Sequence, residues 1–131
     1  NKTEVETIKE RMNSLKKGVI IIVGPGIYKE KNIVVNKNLV LLGVNYPVLD
    51  GEKKYKIVSG KADNVIIKGF KLIHSGTSSL VDIAGIKVYT RKGVTIADNI
   101  MKGTFFGIYL EKSTNCLVEN NRLTANANTD K

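Results

Sequence analysis

Gly85-Ile86-Lys87-Val88-Tyr89 returns as Gly107-Ile108-Tyr109-Leu110-Glu111, a shift of 22 residues. Carried forward, the same shift sets Val94 on Cys116, Ile96 on Val118, Asp98-Asn99 on Asn120-Asn121 and Met101 on Leu123. Apolar residues meet apolar ones, and turn formers meet turn formers, throughout the unit. A fixed period in the low twenties, built of short alternating apolar runs, is how a solenoid shows itself in sequence.

The pattern also reaches backwards. At a shift of 29, Ile86 falls on Ile57, Val94 on Val65, Ile96 on Ile67, Asp98 on Gly69 and Met101 on Leu72. The seven extra residues must then lie between Leu72 and Ile86, which places a loop insertion at residues 74–82. One unit earlier, Leu39-Val40-Leu41-Leu42-Gly43 matches Val65-Ile66-Ile67-Lys68-Gly69 at a shift of 26. After the second short run of each unit stand Gly43, Gly69, Asp98 and Asn120. Glycine enters positive φ freely, and Asn and Asp tolerate it best among the rest, so each unit should turn a tight corner there. The expected fold is all-β: a parallel β-helix, three short strands to a coil of about 22 residues. No fixed leucine ladder and no repeated helix argues for another solenoid class.

Ahead of the repeats, Thr3 to Lys17 reads as an amphipathic helix. Thr3 and Glu6 form a capping box. Glu4 and Glu6 sit at its positive end, and Lys16-Lys17 at its negative end, before Gly18. Val5, Ile8, Met12 and Leu15 make one apolar stripe, suited to covering the open end of a solenoid. One domain is expected over 1–131: a capping helix at 3–17, first coils at 18–56 and regular rungs at 57–126. Gly24-Pro25-Gly26 is a turn and not a phosphate loop, since Pro25 interrupts it and no GK[ST] follows.

Composition narrows the partners. Lys plus Arg is 21 against 12 Asp plus Glu, a net charge of +9, with lysine spread over every rung. Aromatics are few, with no Trp, and no compact basic motif accompanies them, so no nucleic-acid partner is expected. A solvated lysine surface also guards sheet edges. No apolar run nears the roughly 18 residues of a membrane span, so no insertion is expected. The single Cys excludes an internal disulfide and any multi-cysteine zinc site. The sequence opens on Asn1, as a mature or trimmed piece would, and after Leu123 it trails into polar residues. Either further rungs or an end-to-end contact is therefore expected at that end.

Certain runs, in their order, carry a family likeness. They are Gly26-Ile27-Tyr28-Lys29-Glu30, Leu39 to Gly43, Tyr46-Pro47-Val48-Leu49-Asp50-Gly51 and Asn64 to Phe70. Ser75-Gly76, Asp82, Ala84-Gly85-Ile86 and Phe105-Phe106-Gly107-Ile108-Tyr109-Leu110 continue the series. Over residues 8–123 the chain resembles the N-terminal part of the NosD family, periplasmic copper-binding proteins of nitrous oxide reductase maturation, within the wider pectate-lyase-like β-helices. The resemblance implies that the parallel β-helix is right-handed, and that the protein is a periplasmic, non-catalytic helper in copper supply to the reductase, with an ABC transporter and a copper chaperone as partners. It lends no metal site. Copper is expected in the full-length protein if anywhere, and none within these residues.

Copper(I) prefers soft ligands, here limited to Cys116, Met12, Met101 and His74. Cys116 shares a column with Val94, Val65 and Leu39, and Met101 with Leu72 and Leu123, so both are expected as core and not ligands. Met12 belongs to the capping stripe. His74, at the mouth of the insertion, is the candidate metal contact. Ser75, Ser78, Ser79 and Asp82 form its loop and docking surface, able to cap backbone groups. The competing function is an acidic-polysaccharide-binding or -cleaving β-helix. Cleavage would need paired acids, yet Asp98 lies between Gly69 and Asn120 in its column. Asp50, Asp63 and Asp82 fall in other phases. The charge of +9 leaves binding of a polyuronate open.

Overall fold

A computed structural model describes residues 8–14, 18–75, 84–104 and 106–124. Helix α1 (Ile8–Ser14) precedes the first coil, which holds β1 (Ile20–Val23), β2 (Ile27–Tyr28) and β3 (Ile33–Val35). The second coil is β4 (Val40–Gly43), β5 (Val48–Asp50) and β6 (Val58–Gly60), and the third is β7 (Ile66–Lys68), β8 (Lys71–Ile73) and β9 (Ala84–Tyr89). The fourth is β10 (Thr95–Ala97), β11 (Ile100–Lys102) and β12 (Phe106–Glu111), followed by β13 (Leu117–Glu119) and β14 (Arg122–Thr124). Every third strand pairs in parallel. Sheet A is β1-β4-β7-β10-β13, sheet B is β2-β5-β8-β11-β14 and sheet C is β3-β6-β9-β12. The chain is a parallel β-helix with three strands to a coil.

Strand alternation builds the core. Because successive side chains face opposite ways, each strand sends alternate residues inward. In the three-residue strands of sheets A and B it is the middle one, and in β3 and β6 of sheet C it is the first. In sheet A the inward ladder is Ile21-Leu41-Ile67-Ile96-Val118. In sheet B it is Leu49-Leu72-Met101-Leu123. Sheet C contributes Ile33-Val58-Ile86-Ile108. The members in the inner coils are buried, each worth about 1.5–3 kcal/mol of transfer free energy. No coil could bury its ladder residues without a neighbour above or below.

The 22-residue shift coincides with the pairing register in all three sheets, and the 26-residue shift does so in sheet A. The 29-residue shift holds in sheets A and B, where Ile67 meets Ile96 and Leu72 meets Met101. It fails in sheet C: Ile86 pairs with Val58, not Ile57. Between paired positions, the step from Gly60 to Ile66 is one residue shorter than that from Val88 to Thr95, and this absorbs the slip. Ile57 is nonetheless buried, because it turns into the corner against Gly51. Of the insertion at 74–82, His74 and Ser75 are described, and the remainder lies outside the described residues.

The corner column behaves as expected at three of its four places. Gly69, Asp98 and Asn120 have φ of 86°, 56° and 57°. Gly43 does not share this conformation. It is required for a different reason: a Cβ there would collide with the Gly69 carbonyl oxygen and lie 2.8 Å from Pro47 Cδ. The left-handed turn of that coil falls instead on Asn45 and Tyr46, at φ 59° and 54°.

One residue past this column, asparagine side chains knit the last coils. Asn99, fully buried, accepts from the Phe70 amide through Oδ1 (2.9 Å). Its Nδ2 donates to the Ile67 carbonyl and to Asn121 Oδ1, both at 3.1 Å. Asn121 Oδ1 also accepts from the Asn99 amide (3.0 Å), and its Nδ2 donates to the Ile96 carbonyl (2.8 Å).

Helix α1 packs Ile8 and Met12 onto the first coil, against β1 and β3. Glu30 accepts from the amides of Ile8 (2.9 Å) and Lys9 (3.0 Å), satisfying helix-end donors from outside the helix. Lys37 donates to the Met12 carbonyl at 2.8 Å, and Arg11 to that of Ile22. Thr3, Glu6, Val5, Leu15, Lys16 and Lys17 lie outside the described residues. At the opposite end the ladders reach the surface: Val118 is 43% and Leu123 54% exposed, where their partners one coil back are buried. No described helix is long and apolar enough to cross a membrane.

Candidate functional site

His74 directly follows β8, with φ 55°. Its backbone is held on both sides, since its amide donates to the Lys102 carbonyl (3.3 Å) and its carbonyl accepts from Lys53 (2.7 Å). The imidazole is about half exposed, with Nδ1 3.7 Å from Asp50 Oδ1. That separation exceeds a hydrogen bond, so the two attract as ions only when His74 is protonated. Asp50 Oδ1 already accepts from the Glu52 amide at 2.8 Å. Ser75, expected on an exposed loop, is buried at 1% exposure. Ser78, Ser79 and Asp82 lie outside the described residues.

Of the other soft side chains, Met101 sits fully buried between Leu72 and Leu123. Cys116 takes the inward column as expected but is only partly covered, being on the last coil. Its thiol points to the Thr114 carbonyl at 3.4 Å. Met12 is under α1. The four soft donors thus stand in four separate places. No group of three His, Cys, Asp or Glu fit to hold a metal forms among the described residues.

The outward face of sheet C carries a cluster that the sequence reading passed over. Lys87 is 6% exposed although it points away from the core. Its Nζ is 3.3 Å from Glu111 Oε1, 4.6 Å from the Tyr89 ring centre and 5.0 Å from that of Tyr109. Lys61 lies over the same Tyr89 ring at 4.8 Å. Two rings and a carboxylate replace much of the hydration that burial removes from the ammonium. The signal was present: the 22-residue shift sets Lys87 on Tyr109 and Tyr89 on Glu111.

Two shallow cavities flank this face. One, of about 190 Å³, lies between α1 and β3 and is lined by Lys9, Met12, Asn13, Asn32, Val34 and Asn36. The other, of about 300 Å³, occupies the corner joining sheets C and A. The acids are dispersed. Asp98 is 3.5 Å from Lys68 in an exposed ion pair, a contact of small energetic weight.

Compared with known proteins, residues 3–130 match the family model described as periplasmic copper-binding protein (NosD). A cell surface glycoprotein of Methanothermus fervidus is 37% identical over 89 residues, which are 67% of this chain. The matched stretch is 14% of that relative's length. No solved structure matches. With the parallel β-helix in place and the family model spanning nearly all of it, the chain belongs to the NosD family of periplasmic copper-binding proteins.

Proposed function

We propose that this chain is a non-catalytic periplasmic accessory protein that assists copper delivery to nitrous oxide reductase. It would serve as a rigid docking surface for an ABC transporter, a copper chaperone and the reductase. The observation that carries this reading is the family match over residues 3–130, a family of copper-related accessory proteins. The architecture supports it through stiffness, since each coil is hydrogen-bonded to the next and the solenoid offers long continuous faces.

A surface feature adds to it. Ile22 (54% exposed), Ile27 (69%), Val44 (42%) and Tyr46 (46%) all lie on the first two coils, on or beside the corner between sheets A and B. An exposed apolar group of this kind supports a protein-contact reading. The test is reductase copper content in a host that lacks this protein. Copper-poor reductase, restored by the wild-type chain in its natural context but not by Ile22→Lys with Ile27→Lys, is expected. Fully loaded reductase in the host lacking the protein would overturn the reading.

A further inference from the structure

In β1, β4 and β7 the buried Ile21, Leu41 and Ile67 point inward, so the residues on either side of them face out. Strand pairing sets these outward residues in two rows. One is Ile20-Val40-Ile66, continued by Thr95 and Leu117; the other is Ile22-Leu42-Lys68, continued by Ala97 and Glu119. The first three coils thus turn five aliphatic side chains outward together, with Ile20 61% and Ile22 54% exposed. A sheet face turned to water ordinarily carries polar residues there. The strand backbones beneath are spent on coil-to-coil pairing, so up to Lys68 the face offers hydrocarbon.

Charge is segregated on the same face. Residues 18–29, 37–48 and 64–71 hold sheet A and its corner to sheet B in these coils, and they contain no Asp or Glu. Their charged residues are Lys29, Lys37, Lys68 and Lys71. The carboxylates of this face belong to later coils: Asp98, 3.5 Å from Lys68, and Glu119.

We propose that this face lies on an anionic lipid surface, with the first coils nearest the bilayer. Ile20, Ile22, Val40, Leu42 and Ile66 meet the acyl boundary, and Lys29, Lys68 and Lys71 meet the headgroups. The chain adsorbs and does not cross. Apolar burial and attraction to anionic lipid act together in such binding. The claim goes beyond the docking reading above: the corner at Ile27, Val44 and Tyr46 remains the protein contact, and the flat face beside it takes the surrounding lipid.

The composition of the face selects this occupant. A soluble anion would use the lysines and gain nothing from five aliphatic side chains. A second copy would set lysines against lysines on a chain of net charge +9. A protein interface is centred on aromatic and Arg anchors among paired hydrogen-bonding groups, and in the first three coils these two rows hold no such anchor.

The test is co-sedimentation of the 131-residue chain with vesicles of phosphatidylcholine alone, or of phosphatidylcholine with about one-third phosphatidylglycerol. Ile20→Thr/Val40→Thr/Ile66→Thr copies into the earlier coils the residue that stands at Thr95 in the same row, and Thr suits a strand. Lys29→Ala/Lys68→Ala removes cations from the face. Lys54→Ala/Lys56→Ala removes the same charge from the corner between sheets B and C, away from sheet A. Wild type should sediment with the anionic vesicles, far less with phosphatidylcholine alone, and less as salt rises. The threonine variant and the face lysine variant should each bind about ten-fold more weakly, and the control within about two-fold of wild type. No co-sedimentation with the anionic vesicles overturns the proposal and leaves the face to a protein partner. A threonine variant that binds as wild type does would overturn it too, as would equal losses in the two lysine variants. In lipid-free sedimentation equilibrium the threonine variant should associate as wild type does, and its dissociation would assign the face to a second copy instead. Circular dichroism verifies that the variants keep the β-helix. The vesicles carry no protein, so failure here leaves the transporter-docking reading standing, and fully loaded reductase in the host lacking the protein leaves this one.

Discussion

Asn99 shows what a single polar side chain can do inside a solenoid. It is fully buried, and its amide group meets the Phe70 N–H, the Ile67 carbonyl and Asn121. Asn99→Ala would leave two backbone groups without partners in an apolar setting, at about 1–3 kcal/mol each. A loss of about 2–4 kcal/mol in urea unfolding is expected. Asn121→Ala should cost about 1 kcal/mol, since water reaches that half-buried residue. Equal, small losses for both would contradict this role. The repeat made the pair Asp98-Asn99 over Asn120-Asn121 plain in the sequence, but it did not separate their tasks. Asp98 and Asn120 take left-handed φ, while Asn99 and Asn121 turn inward. In the preceding coil the same position is Phe70, an apolar residue, so the column gave no sign of a hydrogen-bond ladder. Cys116 and Met101 were legible as core because their columns are apolar in every coil.

Among the elements, sheet C departs furthest from its reading in sequence. Ile57 and Val58 are adjacent and both apolar, so alternation alone could not say which one pairs with Ile86. The shorter step from Gly60 to Ile66 decides it in favour of Val58. The cover over Lys87 was hidden for another reason, since it comes from side chains on its own and neighbouring strands. This cover yields an asymmetric prediction. Glu111→Gln weakens the charge pairing of a buried ammonium and should destabilise by about 2 kcal/mol. Lys87→Met leaves Glu111, a third exposed, able to reach water, and should cost less than about 1 kcal/mol. Thermal unfolding of both variants checks the order, and the reverse order would show that the ion pair is not what holds this face. The helix, by contrast, was legible from its apolar stripe. Its tie to Glu30 was not, because that carboxylate lies 22 residues from Ile8.

Taken whole, the molecule is a stack closed at one end by α1 and bare at the other among the described residues. Val118, Leu123 and Leu117 are each 43–54% exposed there, next to strands whose outer edges have no described partner. The 131-residue chain purified by itself should therefore self-associate with rising concentration in sedimentation equilibrium. Val118→Lys with Leu123→Lys should keep it monomeric, and unchanged association would place the contact elsewhere. The solenoid itself was legible because its period is written in apolar and turn residues. The outward cluster on sheet C was less so, because outward positions follow that period only between the last two coils, as in Lys87 over Tyr109. The reading of these coils as scaffold and not metal centre rests on soft side chains that stand apart. A competition titration of Cu(I) against a chelator, on this chain and on His74→Ala, bears on it without intermediaries. Neither protein should withdraw the metal, and the two curves should superimpose. Stoichiometric withdrawal by the wild-type chain, abolished in His74→Ala, would put copper chemistry at the mouth of the insertion and contradict the scaffold reading.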